Sequence, residues 1–349
     1  MQGLQKQQGV ALIIVLLIVA IVTVLATQMG SRLQLQVKRA TNIKENNQAY
    51  WYAMGAEQYA ANSLQKLEAL SDGIIHLEQP WAERFVFPAE GGGIEAQLVD
   101  MQACFNLNGL RDANSQANSG QNRSAELNLR LQAFERLMSL VNQELAAFSI
   151  ETVRDSLADW LDADDTMSPL GAEDSEYEGR QFPYLAANNY MSDKSELRLV
   201  NGVEAAWLQP LLQHVCVLPN DNSFKLNVNT VTEQHAAVLA ALAGLTLGEA
   251  SAVIGARPPQ GFKQVEDFFA VSEVSSKNLS NEQKAWFDVK SQYFKLQTKA
   301  AYNNANFAMQ TVFKVDKQDV TVLKREFGNF EMASLSENSG TASARQGNQ

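Results

Sequence analysis

The stretch VALIIVLLIVAIVTVLAT, from Val10 to Thr27, runs eighteen residues without a charge and constrains this 349-residue chain more than anything else in it. At about 1.5 Å rise per residue, a helix of that length nearly crosses a hydrocarbon core of about 30 Å. The helix is obligatory there, because lipid satisfies no backbone N–H or C=O. A cleaved secretory signal is the competing reading, but the run exceeds a usual signal core and no A-x-A site follows it. Lys6 and the α-amino group precede the span, whereas Arg32, Lys38, Arg39 and Lys44 follow it. By the positive-inside rule alone, that count opposes an N-terminus on the cytoplasmic side.

Beyond the span, only the lone Gly30 and Gly55 interrupt helical sequence up to about Leu70. Ala49, Ala53, Ala56, Ala60, Leu64 and Leu67 recur at three- and four-residue steps and give one apolar face. Small alanines there predict close packing against a sheet. The a/d heptads of a coiled coil are not sustained. Ser71–Gly73 ends the helix, and strands are predicted at Glu83–Phe87 and Gly93–Phe105, with Gly91-Gly92-Gly93 as the turn. A second strand block is predicted at Gln292–Ala301, Asn306–Val315 and Val320–Phe327. Phe307, Met309, Thr311, Phe313 and Val315 alternate as one face of a half-buried antiparallel strand.

Between the two strand blocks, residues 106–288 read as helical and loopy, so the simplest architecture is a sheet interrupted by an inserted helical domain. Within it, FNLN (Phe105–Asn108) is echoed by LNVN (Leu226–Asn229), and Asn108 and Asn229 are candidate helix N-caps. The segment Asn227–Phe262 has the look of a helix-hairpin-helix, with one helix before Gly244-Leu245 and another over Leu247–Ala256. Such modules often bind the DNA backbone. Here Lys225, Arg257 and Lys263 face Glu233, Glu249, Glu266 and Asp267, and the whole chain carries 28 Lys+Arg against 39 Asp+Glu. That balance argues against nucleic acid and for protein contacts. Three His, two Cys and no P-loop, G-x-S-x-G or H-E-x-x-H motif leave little for catalysis or for a zinc ribbon.

Eight carboxylates lie in the twenty residues from Asp159 to Glu178, interrupted by Pro169 and Gly171. Such crowding either stays solvated or gathers a cation; Ca²⁺, which takes six to eight hard oxygens in flexible geometry, suits an irregular loop better than Mg²⁺. The spacing is not that of an EF-hand. Cys104 and Cys216 form a disulfide if this part of the chain lies in an oxidising compartment, and are otherwise two buried thiols.

The leader Met1–Gly9, its Gly directly before the apolar run, resembles a type IV prepilin leader. The junction QGVALIIVLLIVAIV and the segment DWLDADD…GAEDSEY…NNYMSDKSELRLVNGV resemble the minor pseudopilin K family of type II secretion systems, over nearly the full chain. The resemblance implies an α/β (α+β) pilin-like fold: a long N-terminal transmembrane helix packed on an antiparallel sheet, with a large α-helical domain inserted between strands. It divides the chain into a leader (1–9), a transmembrane segment (10–29), spine helix and first strands (30–105), the insertion (106–288), C-terminal strands (289–333) and a disordered tail (334–349).

It further implies cleavage by the prepilin peptidase between Gly9 and Val10, with N-methylation of Val10, and a single-pass inner-membrane protein with a periplasmic C-terminal domain. Most prepilins carry Glu at the fifth mature position, paired with the terminal amine of a neighbouring subunit; Ile14 stands there and suits a subunit with nothing above it. The implied role is to cap the pseudopilus with the I and J pseudopilins, to initiate its assembly, and to contact exported cargo or the outer-membrane secretin. Calcium is the implied structural ion, with Asp162, Asp164, Asp165, Glu173, Asp174 and Asn188 as ligands. Readings from other classes are a membrane-anchored DNA-uptake pilin and a membrane-tethered periplasmic hydrolase.

Overall fold

The computed structural model describes residues 10–71, 73–111, 124–317, 319–328 and 330. The leader, including Gly9, and the tail expected at 334–349 lie outside the described residues. Helix α1 runs unbroken over Val10–Leu70, and every residue from Val10 to Lys44 is exposed. At 1.5 Å per residue the helix therefore projects about 50 Å from the body. Its apolar part, long enough to cross a membrane, leaves few polar groups to satisfy. The Thr23 hydroxyl donates to Val19 O at 2.8 Å and the Thr27 hydroxyl to Val24 O at 2.9 Å, so both are satisfied within the helix, as lipid requires.

Above Lys44 the same helix becomes the spine of the body. Ala49, Ala53, Ala56, Ala60 and Leu64 are buried against a five-stranded antiparallel sheet. The strands are β1 (Phe85–Ala89), β2 (Gly92–Asp100), β7 (Tyr293–Tyr302), β8 (Ala305–Asp316) and β9 (Asp319–Phe327), in spatial order β1-β2-β7-β8-β9. Ala53 packs with Ala300 and Met309, whereas Leu64 packs in the cluster of Leu98, Phe294 and Phe313. Met309, Thr311, Phe313 and Val315 are buried, as the alternation in β8 predicts.

Two strand expectations need correction. β2 ends at Asp100, not at Phe105, because its carboxylate accepts the Gln102 N–H at 2.8 Å and turns the chain out of the sheet. The tight turn takes only Glu90 and Gly91; Gly92 and Gly93 belong to β2. Gly91 has φ +74°, and a Cβ on Gly92 would sit 2.0 Å from Ala301 O, so close strand approach accounts for the run of glycines.

Between β2 and β7 the chain leaves the sheet and builds its largest core. The elements are β3 (Phe105–Asn106), α2 (Ala125–Val141), α3 (Ala147–Leu161), α4 (Asp174–Glu178), α5 (Ala205–Leu212), β4 (Val215–Cys216), β5 (Leu226–Asn227), α6 (Ala236–Ala243), α7 (Leu247–Ala256), α8 (Val265–Phe269), α9 (Ser272–Ser275), α10 (Asn281–Lys284) and β6 (Phe287–Asp288). β3 pairs in parallel with β4, and β5 with β6, so each N-x-N segment opens its own small parallel pair. Their asparagines are not helix N-caps at the second position. Asn106 is the residue that caps a short 3-10 turn, Leu107–Leu110, by accepting the Asn108 N–H. Asn108, fully buried, closes a two-way amide clamp on Met191: its Nδ2 donates to Met191 O at 3.0 Å and its Oδ1 accepts Met191 N–H at 2.8 Å. The second segment repeats the device. Asn227 accepts the Asn229 N–H at 2.9 Å, and Asn229 clamps both backbone groups of Phe262 at 3.0 and 2.7 Å. Burial explains the difference: a buried amide needs all its partners nearby, and long-range loops supply them.

The insertion leaves and re-enters the sheet beside the C-terminal end of α1, the end opposite the apolar anchor. Asp100 bolts this junction. Its Oδ2 accepts from Thr230 at 2.6 Å and from Ser291 at 2.5 Å, joining the exit strand, the insertion and the returning strand. Burial pushes the Asp100 carboxyl up to about 6, although the bonds from Ser291, Thr230 and Gln102 oppose the rise. An unfolded Asp titrates near 3.9. The folded chain thus keeps a proton between about pH 4 and 6 that the unfolded chain has lost, so this group favours folding at low pH and loses that advantage as pH rises through 6. Asp100→Asn, which mimics the protonated acid, is expected to match the parent at pH 4 and to exceed it by up to roughly 3 kcal/mol at pH 7. Urea midpoints across that range check this; equal pH slopes in the two proteins would contradict it.

Candidate functional site

Three features could carry function: the acidic loop, the cysteine pair and the hairpin of α6 and α7. The acidic loop begins where α3 ends. Asp155 and Asp159 both lie on the buried face of α3, one turn apart. Asp159 accepts the Ser168 N–H at 3.0 Å and also its hydroxyl, while Asp155 accepts the Leu170 N–H at 3.3 Å. The loop is thereby folded back onto the helix that precedes it. A Cβ on Gly171 would fall 1.8 Å from Asp159 Oδ2, so the close approach of the loop depends on glycine. Asp162 accepts the Asp164 N–H at 3.3 Å and Asp164 the Thr166 N–H at 2.8 Å, two Asx turns that keep these carboxylates in succession.

Glu173 is the buried member of the group, and neither of its carboxylate oxygens has a hydrogen-bond partner. Burial first, and then the charges of Asp159, Asp162, Asp165 and Asp164, push its carboxyl up to about 8. Asn188 reaches the same neighbourhood from the far side of the loop, at φ +44°, donating through Nδ2 to Asp165 at 3.2 Å. Its Oδ1 is also buried without a partner. Of the six residues named from the sequence, the structure therefore associates Asp162, Asp164, Asp165, Glu173 and Asn188. Asp174 accepts the Ala186 N–H at 2.9 Å, two residues before Asn188. Among the described residues, no three His, Cys, Asp or Glu side chains stand close enough together to hold a metal by themselves. The charges of Asp162, Asp164 and Asp165 instead converge on the unpartnered Glu173 carboxylate, and hard carboxylate and amide oxygens are the donor class that Ca²⁺ accepts. Asp159, counted in the acidic cluster but not among the six ligands, is brought to bear on Glu173 by the return of the loop.

Cys104 and Cys216 form a disulfide with Cα atoms 5.9 Å apart. The β3–β4 pairing sets Asn106 opposite Cys216, and the bridge packs with Met101, Leu218, Tyr293 and Val312. It therefore crosslinks the insertion at the seam where it lies on the sheet. In the hairpin, Gly244 ends α6 at φ +71° and α7 leaves at 113° to it. Of its cations, Lys263 is exposed, whereas the others are turned inward or paired. Arg257 donates to Val228 O and Val231 O, Lys225 pairs with Asp288, and Lys277 pairs with Glu249. These contacts leave the module a packing unit, with its face toward the core of the insertion.

Comparison with known proteins agrees with this organisation. The family described as type II secretion system (T2SS), protein K, matches in two segments, residues 103–220 and 226–290, which divide the insertion between its two N-x-N units. Type II secretion system protein K of Aeromonas hydrophila is 34% identical over 331 residues, covering 93% of this chain and 98% of that protein. The protein K of Klebsiella pneumoniae is 35% identical, covering 94% and 98%. Among solved structures, a chain of the GspK-GspI-GspJ complex of enterotoxigenic Escherichia coli superposes with a TM-score of 0.72 at 32% identity, over 84% of this chain and 100% of that one. The apolar stem, the spine on its antiparallel sheet and the two-part insertion are thus those of a known lineage: the chain belongs to the type II secretion system protein K family.

Proposed function

We propose that this chain is the minor pseudopilin at the tip of the type II secretion pseudopilus, where it initiates assembly with the I and J pseudopilins and supports export of folded proteins. The observation that carries the reading is the position of the insertion. It rises from the sheet beside the C-terminal end of α1, where Ile75 donates to Val289 O at 3.0 Å and accepts from the Asn227 side chain at 3.2 Å. Subunits in a filament of this kind stack along their N-terminal helices, so a domain of this bulk at the distal end leaves no room for a subunit above. Ile14 supports the same position, since it offers no carboxylate to a neighbour's terminal amine. Below the body, Leu33, Leu35, Val37 and Ile43 are exposed on α1, apolar surface suited to packing against other subunits' helices. The complex of the E. coli relative with GspI and GspJ supports these two as partners.

In this reading the protein is anchored in the inner membrane with its body in the periplasm, after cleavage before Val10 by the prepilin peptidase; the apolar stem supports the anchor. The role is architectural, and the secretin and exported cargo are the contacts expected beyond the tip. Labelling this chain on purified filaments is expected to mark one end only; label distributed along their length would overturn the tip position.

The acidic loop serves as the structural calcium site in this reading. Asp162, Asp164, Asp165, Glu173 and Asn188 would hold the ion, which would neutralise the charge the loop gathers. Chelation is expected to lower the melting temperature and Ca²⁺ to restore it, by about 3 kcal/mol at a hundredfold excess over Kd. Glu173→Gln should lose this response while gaining stability in chelator at pH 7, because it supplies the neutral form that burial and the neighbouring carboxylates otherwise force by proton uptake. A wild type indifferent to chelator would refute the site.

A further inference from the structure

The seam between the sheet and the insertion encloses a second polar site, apart from the acidic loop. It is a cavity of about 160 Å³ whose walls include Lys194, Lys295, Lys324 and His235, with the disulfide at one side. The three lysines come from three elements. Lys295 on β7 and Lys324 on β9 each lie opposite Val312, so they share the sheet face turned away from α1, about 10 Å apart. Lys194 opens the 3-10 turn Lys194–Leu199, which the insertion lays across that face.

Three carboxylates, Asp100, Asp193 and Glu326, share the walls with the three lysines, but none of them forms an ion pair with Lys194 or Lys295. Lys324 pairs with Glu326 and lies 3.9 Å from Asp193, and it also donates to Ser192 O at 2.7 Å. Asp100, also in the wall, is saturated by Gln102, Thr230 and Ser291. Lys194 is anchored on Leu212 O, a neutral acceptor. The Lys295 ammonium forms no hydrogen bond or ion pair with any described residue, although Glu326 and Asp193 act on it at longer range. Two ammonium groups thus lie near each other in a half-buried seam with carboxylates acting on them only at longer range, an arrangement that an anion in direct contact would relieve.

We infer that this seam is a binding site for a small oxyanion, of the sulfate, phosphate or carboxylate class, held chiefly by Lys194 and Lys295. The electrostatics of the neighbours point the same way. Burial and the charge of Lys295 bring the Lys194 ammonium down to about 8. Burial and then the charges of His214 and Lys194 bring His235 down to about 4, so the imidazoles stay neutral while the lysines repel. The cavity takes one small polyatomic anion, not a nucleotide. Because the lysines come from the sheet and from the insertion, the anion would tie the two together.

The test is residue-resolved acylation of lysines in the full-length protein in detergent at pH 8, read by mass spectrometry. The probes are sodium sulfate and sodium acetate at millimolar concentration, against sodium chloride at equal ionic strength. Sulfate at ten times its Kd is expected to slow acylation of Lys194 about tenfold, with exposed lysines such as Lys66 unaffected. Lys295→Met should remove the protection and, without anion, raise the melting temperature. Protection by sulfate alone assigns a tetrahedral anion and protection by both assigns any oxyanion; either supports the site. Unchanged Lys194 reactivity in the wild type, or protection that persists in Lys295→Met, overturns it.

Discussion

Reducing or deleting the Cys104–Cys216 bridge is expected to cost up to about 5 kcal/mol, the chain-entropy value for a closed loop of this size. The two cysteines are 112 residues apart, and the loop they close holds the whole first half of the insertion, including α2, α3 and the acidic loop. Among the described residues, two backbone-paired positions, Phe105 with Val215 and Asn106 with Cys216, otherwise close that loop as a sheet. Cys104→Ser with Cys216→Ser in the full chain should lower the urea midpoint and leave the five-stranded sheet folded longer than the insertion. Tryptophan emission would report the insertion first, because Trp160, Trp207 and Trp286 belong to its core or pack on it. A midpoint within error of the oxidised parent would contradict this account.

Glu57→Ala is expected to destabilise the body by about 3 kcal/mol or more, the range for removing one partner of a buried ion pair. Glu57 is completely buried in the middle of the spine. Its carboxylate accepts Arg325 Nε at 2.7 Å, Arg325 Nη2 at 2.8 Å and the Thr311 hydroxyl at 2.8 Å. The bidentate fork fixes α1 to β9, the edge strand. Arg325 keeps part of its surface in water, so the strongest cost falls on Arg325→Ala, which strands the buried carboxylate rather than the half-exposed guanidinium. Arg325→Met with Glu57→Leu should recover most of the loss. Urea unfolding of the single and double variants, read as a double-mutant cycle, checks this, and additive costs would rule out the pairing.

The β9 register explains why this contact exists. Val312 pairs with Lys324 and Phe313 with Val322, so a bulge skips one residue of β9. Before the bulge Val320 and Val322 face the spine; after it Arg325 does, opposite Thr311. The alternation of β9 read in sequence carries no sign of that switch. Glu57, one residue from Ala56 on the apolar stripe, reads as a helix surface residue until its partner 268 positions away is placed beside it.

Local periodicity was sufficient for the large pieces. The uncharged run demanded a lipid helix, the alanine spacing demanded a close-packed face, and the alternation of Phe307 to Val315 demanded a half-buried strand; each depends on neighbours a few residues apart. The hairpin of α6 and α7 was legible for the same reason, marked by Gly244. The N-x-N repeat was visible, but its chemistry was not, because Asn108 and Asn229 find their partners at Met191 and Phe262. That Asp159 binds the returning loop and acts on Glu173 emerged only when the loop folded back on α3. The seam with Lys194, Lys295 and Lys324 had no signal at all, since its members come from an insertion and two strands separated by the rest of the chain. What the sequence alone determined is the set of elements and the faces they bury, because hydrophobic burial is written at helix and strand period. What only the tertiary structure decided is which polar groups meet, because a buried charge or amide is satisfied by whatever the fold brings to it from afar.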